Sequence, residues 1–241
     1  MGASREPVAP VAGGGAVFTP PETDPEKVRA ADIRILFVGN SHTSSHDLPN
    51  LVCEMIRFRR PGKTAYARAV SVPHLEALAG DPTAQRELDA HPWTAVVLQA
   101  QKIGVSGKFD YPRDEGIAFA KRAKARGADV FFFAEWGLKT DPTNGPRHEA
   151  IYREMAAQAG VEVAAVGRAW DSALAERPDL ALHDLDGNHQ SHVGAFLTGC
   201  VLVGRITGED PSDLAAFPDA AIPAADRQFL AGIAAKSLLA K

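Results

Sequence analysis

Short apolar runs alternate with longer amphipathic stretches from about residue 30 onward. The runs 33–38, 65–70, 95–98, 130–134 and 161–166 are rich in β-branched, aromatic and small apolar residues. Most lack polar alternation, as expected of strands covered on both faces. Between and after them, helical periodicity marks 48–59, 82–90, 114–126, 147–159, 169–176, 191–206 and 224–239. Gly127 and Gly160 stand where helix C-terminal stops belong. This β-α alternation predicts an α/β protein with one doubly wound parallel sheet flanked by helices, without an internal repeat or a second domain. Residues 1–29, rich in Pro, Gly and Ala, read as a disordered or loosely packed lead-in to a single domain over 30–241. The lead-in lacks a charged-then-apolar leader pattern, and a spacer behind a removed export signal also fits it, so the compartment stays open.

Composition narrows the function classes. The chain has 241 residues, enough for one substantial core, and its 45% hydrophobic and 23% charged content is that of an ordinary soluble protein. A formal charge of −4 gives no basic footprint for nucleic acid. No apolar run approaches the roughly 20 residues of a membrane helix. The two cysteines, Cys53 and Cys200, have no metal-ligand spacing and are expected as buried free thiols. They can pair only if their helices are neighbours on one sheet face.

Parallel sheets of this kind place ligand sites outside the carboxyl ends of their strands. Ser41 follows the first strand in Gly39-Asn40-Ser41-His42-Thr43, Ser71 and Val72 follow the second, Gln99 the third, and Glu135 and Trp136 the fourth. Asp186-Gly187-Asn188-His189 precedes the penultimate helix and can return to that edge. A serine hydroxyl needs a base, and a base needs an orienting carboxylate. Ser41, His189 and Asp186 supply the three. Oxyanion donors would be the backbone N–H of Ser41, an N–H near Val72 and the side-chain amide of Gln99, with Gln101 as runner-up.

These segments resemble the SGNH (GDSL-like) hydrolases. Gly39-Asn40-Ser41-His42-Thr43 is similar to that family's first block. Asp186-Gly187-Asn188-His189-Gln190-Ser191 is similar to its last. The resemblance spans about 33–211 and implies a flavodoxin-like five-stranded sheet. It further implies a serine esterase acting on carboxylic esters through an acyl-enzyme on Ser41, with no cofactor and no metal. Two blocks depart from the family pattern. The second, Ser71-Val72-Pro73-His74-Leu75, lacks the family's glycine, and Pro73 has no N–H to give. The third, Leu98-Gln99-Ala100-Gln101, carries glutamine where the family has Gly-x-Asn-Asp. Some carbohydrate-acetylesterase branches place a glutamine there. That tilts the expected substrate toward small-molecule or carbohydrate esters with short or acetyl groups.

Other readings stand beside this one. Ser41 within Ser-His-Thr-Ser-Ser also suits a helix N-cap. The glutamines suit a strand end, and Trp136 a pocket wall or core position. His42, His46 and His74 read as loop side chains near the mouth, and Arg57, Arg59 and Arg60 as a solvated helix end. His183, Asp184, Asp186, His189 and His192 are dense enough to ligate a metal and activate water. A non-catalytic binding module on the same fold is the third reading. The loops 102–112 and 138–146 carry no readable motif.

Overall fold

The computed structural model describes residues 24–103 and 111–239. Among these, five strands form one sheet: β1 (Ile33–Gly39), β2 (Ala65–Ser71), β3 (Ala95–Leu98), β4 (Asp129–Ala134) and β5 (Glu162–Ala165). Their order is β2-β1-β3-β4-β5, and every pairing is parallel. Nine α-helices among the described residues flank it: α1 (Pro25–Ala30), α2 (Ser41–Ser44), α3 (Leu48–Arg59), α4 (Pro82–Ala90), α5 (Asp114–Ala125), α6 (Asn144–Ala159), α7 (Val166–Glu176), α8 (His192–Thr207) and α9 (Ala224–Leu239).

The two-residue period of the strands divides their apolar side chains between two layers. Ile35, Phe37, Val97, Phe131 and Phe133 pack with α3, α7, α8 and α9. Leu36, Val38, Val96, Leu98 and Phe132 pack with α1, α4, α5 and α6. Both faces are therefore covered, which is why the strands read as continuous apolar runs. The predicted α/β fold with a five-stranded parallel sheet is the one observed.

Boundaries differ locally. The fifth strand ends at Ala165, because Val166 already opens α7. The helix predicted over 147–159 starts earlier, at Asn144, whose Nδ2 donates to Asp141 Oδ2 at 2.9 Å. The last part of the expected loose lead-in is instead helical. Asp24 caps α1 by accepting from the N–H groups of Glu26 and Lys27, and Val28 is buried in the core. Residues 1–23 of that segment lie outside the described residues. The arginines at the end of α3 are not simply solvated: Arg59 pairs with Glu209 and Asp213, and Arg60 with Glu209, fastening α3 to the chain beyond α8. Cys53 on α3 and Cys200 on α8 are both buried and free, although the two helices are neighbours. No described helix is long and apolar enough to cross a membrane.

Candidate active site

The first half of the site is the turn that carries Ser41 away from β1. In this turn Asn40 is the cap, and Ser41 the first helical residue. The Asn40 side chain accepts from the His42 N–H at 3.1 Å. The turn closes tightly over Gly39. A Cβ there would stand 2.2 Å from Thr43 Oγ1 and 2.7 Å from Gln99 Oε1, so only glycine fits. Ser41 itself is exposed. Its backbone N–H opens α2 and has no intrahelical acceptor.

The second half is the loop between α7 and α8. Ser191 caps α8 by accepting from the Gly194 N–H at 3.1 Å, and its N–H donates to Leu182 O at 2.8 Å. Gly194 is needed for that closeness, because a Cβ would fall 2.3 Å from Leu182 O. Residues 183–190 bulge out from this neck. They are held by the His183–Gln190 bridge and by the Asp184 N–H donating to His189 O at 2.8 Å.

At the tip, one Asp186 oxygen accepts from the N–H groups of Asn188 and His189, both at 2.9 Å. Its other oxygen lies 2.5 Å from His189 Nδ1, and His189 Nε2 lies 2.8 Å from Ser41 Oγ. The His189 ring and these two N–H groups hold the Asp186 carboxyl well below the usual carboxylate range. An ionised Asp186 accepts the Nδ1–H, which leaves Nε2 with its lone pair toward the serine hydroxyl. The geometry thus links a hydroxyl, an imidazole and a carboxylate in series across a separation of 148 residues in the chain.

What braces this loop was not visible in the sequence. The Asn188 carbonyl accepts from Trp136 Nε1 at 2.9 Å and faces His42 Nε2 at 3.2 Å. Trp136 is stacked on Trp170, with ring centroids 4.0 Å apart. His42 packs edge-on against Trp136 and lies 5.2 Å from the His189 ring. Burial pushes His42 below the ordinary imidazole range, against the pull of Glu135, while the nearby His189 adds to the lowering. A neutral ring carrying its proton on Nε2 fits the Asn188 contact. His42 is therefore a half-buried brace rather than a solvated loop side chain. Its position next to the serine was the one available signal. His183 Nε2 bonds the Gly137 carbonyl at 2.9 Å, and Lys139 N–H bonds the Gly187 carbonyl at 2.9 Å. The β4–α6 connection thus holds the loop at three points.

The expected oxyanion donors fare differently. Val72 N–H donates to Gly39 O at 2.9 Å. It continues the β1–β2 ladder one step beyond the Gly39–Ser71 pair and is not free. Gln99 is fully buried. Its Oε1 accepts from Asn40 N–H at 3.0 Å and Thr43 Oγ1 at 2.9 Å, and its Nε2 points at Glu135 Oε1, 3.4 Å away. It underpins the turn that carries Ser41. Gln101 Nε2 donates to the carbonyls of Lys102 and Pro112, at 3.3 and 3.2 Å. Of the expected donors, only the Ser41 N–H has no acceptor among the described residues.

The dense histidine segment does not converge on one point. His183 bonds Gly137 O, His189 bonds Asp186, and His192 Nε2 lies 2.8 Å from Asp219 Oδ2. Among the described residues, no group of three or more His, Cys, Asp or Glu side chains is arranged to hold a metal ion. Most of loop 102–112 lies outside the described residues.

No protein-family model and no curated protein matches the chain. Solved structures do. A candidate SGNH hydrolase from Slackia heliotrinireducens is 24% identical, with 72% of this chain and 98% of that one covered and a TM-score of 0.57. A DUF4886 family protein from Bacteroides uniformis is 15% identical, with 86% and 95% covered and a TM-score of 0.66. The lipase/acylhydrolase from Enterococcus faecalis is 16% identical, with 73% and 96% covered and a TM-score of 0.54. At these identities the likeness speaks for architecture. Combined with the 2-1-3-4-5 parallel sheet, it shows that this chain has the fold of the SGNH hydrolases.

Proposed function

We propose that this chain is a serine esterase that hydrolyses carboxylic esters through an acyl-enzyme on Ser41. The observation that carries the reading is the series Ser41 Oγ–His189 Nε2–Asp186, with separations of 2.8 and 2.5 Å. Reach comes first in recognising a nucleophile and its base, and these distances already lie within it.

The steps follow from that geometry. His189 Nε2 takes the Ser41 proton as Oγ attacks the ester carbonyl carbon. The imidazolium that forms is stabilised by Asp186, which stays ionised. Negative charge develops on the former carbonyl oxygen, and the Ser41 N–H is the donor available to it. The carbon–oxygen bond to the alcohol then breaks, and His189 returns the proton to the leaving alkoxide. A water follows the same route in reverse: His189 removes its proton, it attacks the acyl carbon, and Ser41 leaves with the proton restored. The acid is released and the enzyme is unchanged.

A small cavity beside His42 and Asn188, of about 170 Å³, supports a preference for short acyl groups, including acetyl groups carried on a small molecule or a carbohydrate. Fluorophosphonate labelling of the purified protein, read by intact mass and peptide mapping beside p-nitrophenyl acetate turnover, tests the reading. One adduct on Ser41 together with turnover is the expected result. No adduct and no turnover would remove it. Equal or better turnover of long-chain esters would remove the short-acyl preference alone.

A further inference from the structure

The same small cavity has an unusual floor. His42, Gln101, Trp136, Leu138, Asn144 and His148 are among the residues that enclose it. Its volume is about 170 Å³. Ile103, Trp136 and Leu138 make part of its lining apolar, but three buried polar atoms, two on its lining residues and one on Glu135 next to His148, have no hydrogen-bond partner among the described residues. They are Gln101 Oε1, His148 Nδ1 and Glu135 Oε2. Gln101 is 5% exposed and Glu135 4%. Glu135 Oε1 lies 3.9 Å from His148 Nδ1, too far for a hydrogen bond.

The orientation of the Gln101 amide is fixed by its surroundings. Nε2 faces two carbonyls, those of Lys102 and Pro112. A flipped amide would set its oxygen against both of them, so the atom left over is an acceptor. Glu135 Oε2 is also an acceptor. Buried acceptors left unmade are unfavourable, and such groups are ordinarily satisfied. Here the missing counterpart is a donor small enough to enter the cavity.

We infer that this cavity is a subsite for a hydroxyl-bearing group of two or three carbons, held by its hydroxyl donating to Gln101 Oε1 beside His148. The inference rests on the esterase reading for its substrates. The hydroxyl belongs either to a short hydroxyacyl group or to the alcohol next to the ester oxygen, and both have the same chemistry at the cavity floor. Sites built to hydrogen-bond a substrate hydroxyl reject the analogue that lacks it far more strongly than apolar pockets reject a methylene.

The test compares kcat/KM of the full chain for three esters of matched size. Ethyl acetate is the reference, ethyl glycolate places the hydroxyl on the acyl side, and 2-hydroxyethyl acetate places it on the alcohol side. One hydroxylated ester should exceed the reference by at least about tenfold, the effect of one hydrogen bond to a buried acceptor. Which of the two it is assigns the side. Gln101→Met and His148→Phe, checked for folding by circular dichroism, should each bring that ratio below about threefold. Ratios near one for both esters in the unmutated chain would overturn the subsite, as would a ratio untouched by Gln101→Met. Should no ester turn over and Ser41 take no adduct, the esterase reading falls on its own. The subsite is then read by saturation-transfer NMR with glycolamide and acetamide. Glycolamide-selective signal that is lost in Gln101→Met supports it, and no selectivity overturns it.

Discussion

Replacing Gln99 by leucine separates two roles that the residue could have beside the serine. In the structure its Oε1 accepts from the Asn40 N–H at 3.0 Å and from Thr43 Oγ1 at 2.9 Å. Leucine is close in volume but offers no acceptor. Both donors would then be stranded where Gln99 and Thr43 are buried. A buried donor left without a partner costs about 1–3 kcal/mol. Two such donors cost about 2–5 kcal/mol after partial relaxation of the more accessible Asn40 end. For a domain of this size, about 1 kcal/mol moves Tm by about 2–4 °C, so Gln99→Leu should lower Tm by about 4–20 °C. Activity should fall too, because the turn that aims Ser41 is loosened. The loss should shrink as assay temperature is lowered. An oxyanion donor behaves otherwise: its removal lowers kcat by about 10²–10³ with the fold intact. Differential scanning calorimetry beside kcat and KM for p-nitrophenyl acetate distinguishes the two. An unchanged Tm with kcat reduced a hundredfold or more would refute the argument and return Gln99 to the oxyanion.

Four further outcomes are expected. Ser41→Ala and His189→Ala should each reduce esterase kcat by at least about 10³-fold, and Asp186→Ala somewhat less, all measured against the same ester. Trp136→Phe keeps the stack on Trp170 but removes the donor to the Asn188 carbonyl; kcat should fall by about tenfold with KM within twofold, and an unchanged kcat would show the brace is dispensable. Asp32 is held at a pKa of about 2 by the Thr64 N–H, with Lys63 and the Thr64 hydroxyl adding to it. Its folded pKa is below the unfolded value of about 3.9, so its contribution is present above that value and lost as pH falls toward 2. Tm profiles of the unmutated chain and Asp32→Asn should therefore differ at pH 5–7 and converge near pH 2. Burial pushes the Cys53 thiol up to about 12 and the Cys200 thiol still higher. Ellman's reagent at pH 8 should therefore find both thiols slow in the native protein and both prompt in guanidinium.

What could be read from the sequence was whatever depends on local pattern. The five strands stood out because burial on both faces leaves an unbroken apolar run, as in Phe131–Phe132–Phe133. The glycine before the serine and the Asp-x-x-His spacing were readable because each fixes a turn within a few residues. The assignment of donors was not, because it depends on which N–H a neighbouring strand has already claimed. Val72 illustrates this: only the pairing of Gly39 with Ser71 shows that the next N–H goes to Gly39 O. Gln99 was correctly placed at the strand end, but its amide turned inward under Asn40. The brace on Asn188 was out of reach for another reason. Its acceptor is a backbone carbonyl, which leaves no mark on residue identity, and its donors lie 52 and 146 residues away.

That brace also explains how a loop can hold an imidazole in place. Asp186 holds the His189 ring at Nδ1, and it is itself half exposed. An exposed pair of this kind is ordinarily a weak restraint, since screening and side-chain entropy offset its attraction. Here the carboxylate is fixed by two N–H groups of its own loop, so little freedom remains for it to lose. The loop in turn is fixed at His183, Gly187 and Asn188 by bonds to the connection after β4. Rigidity therefore passes from the sheet to the Trp136–Trp170 stack, from the stack to the Asn188 carbonyl, and from there to the ring. An imidazole positioned in this way keeps its 2.8 Å approach to Ser41 without being buried itself, and on the proposed esterase reading that leaves the mouth of the site open to an ester and then to water.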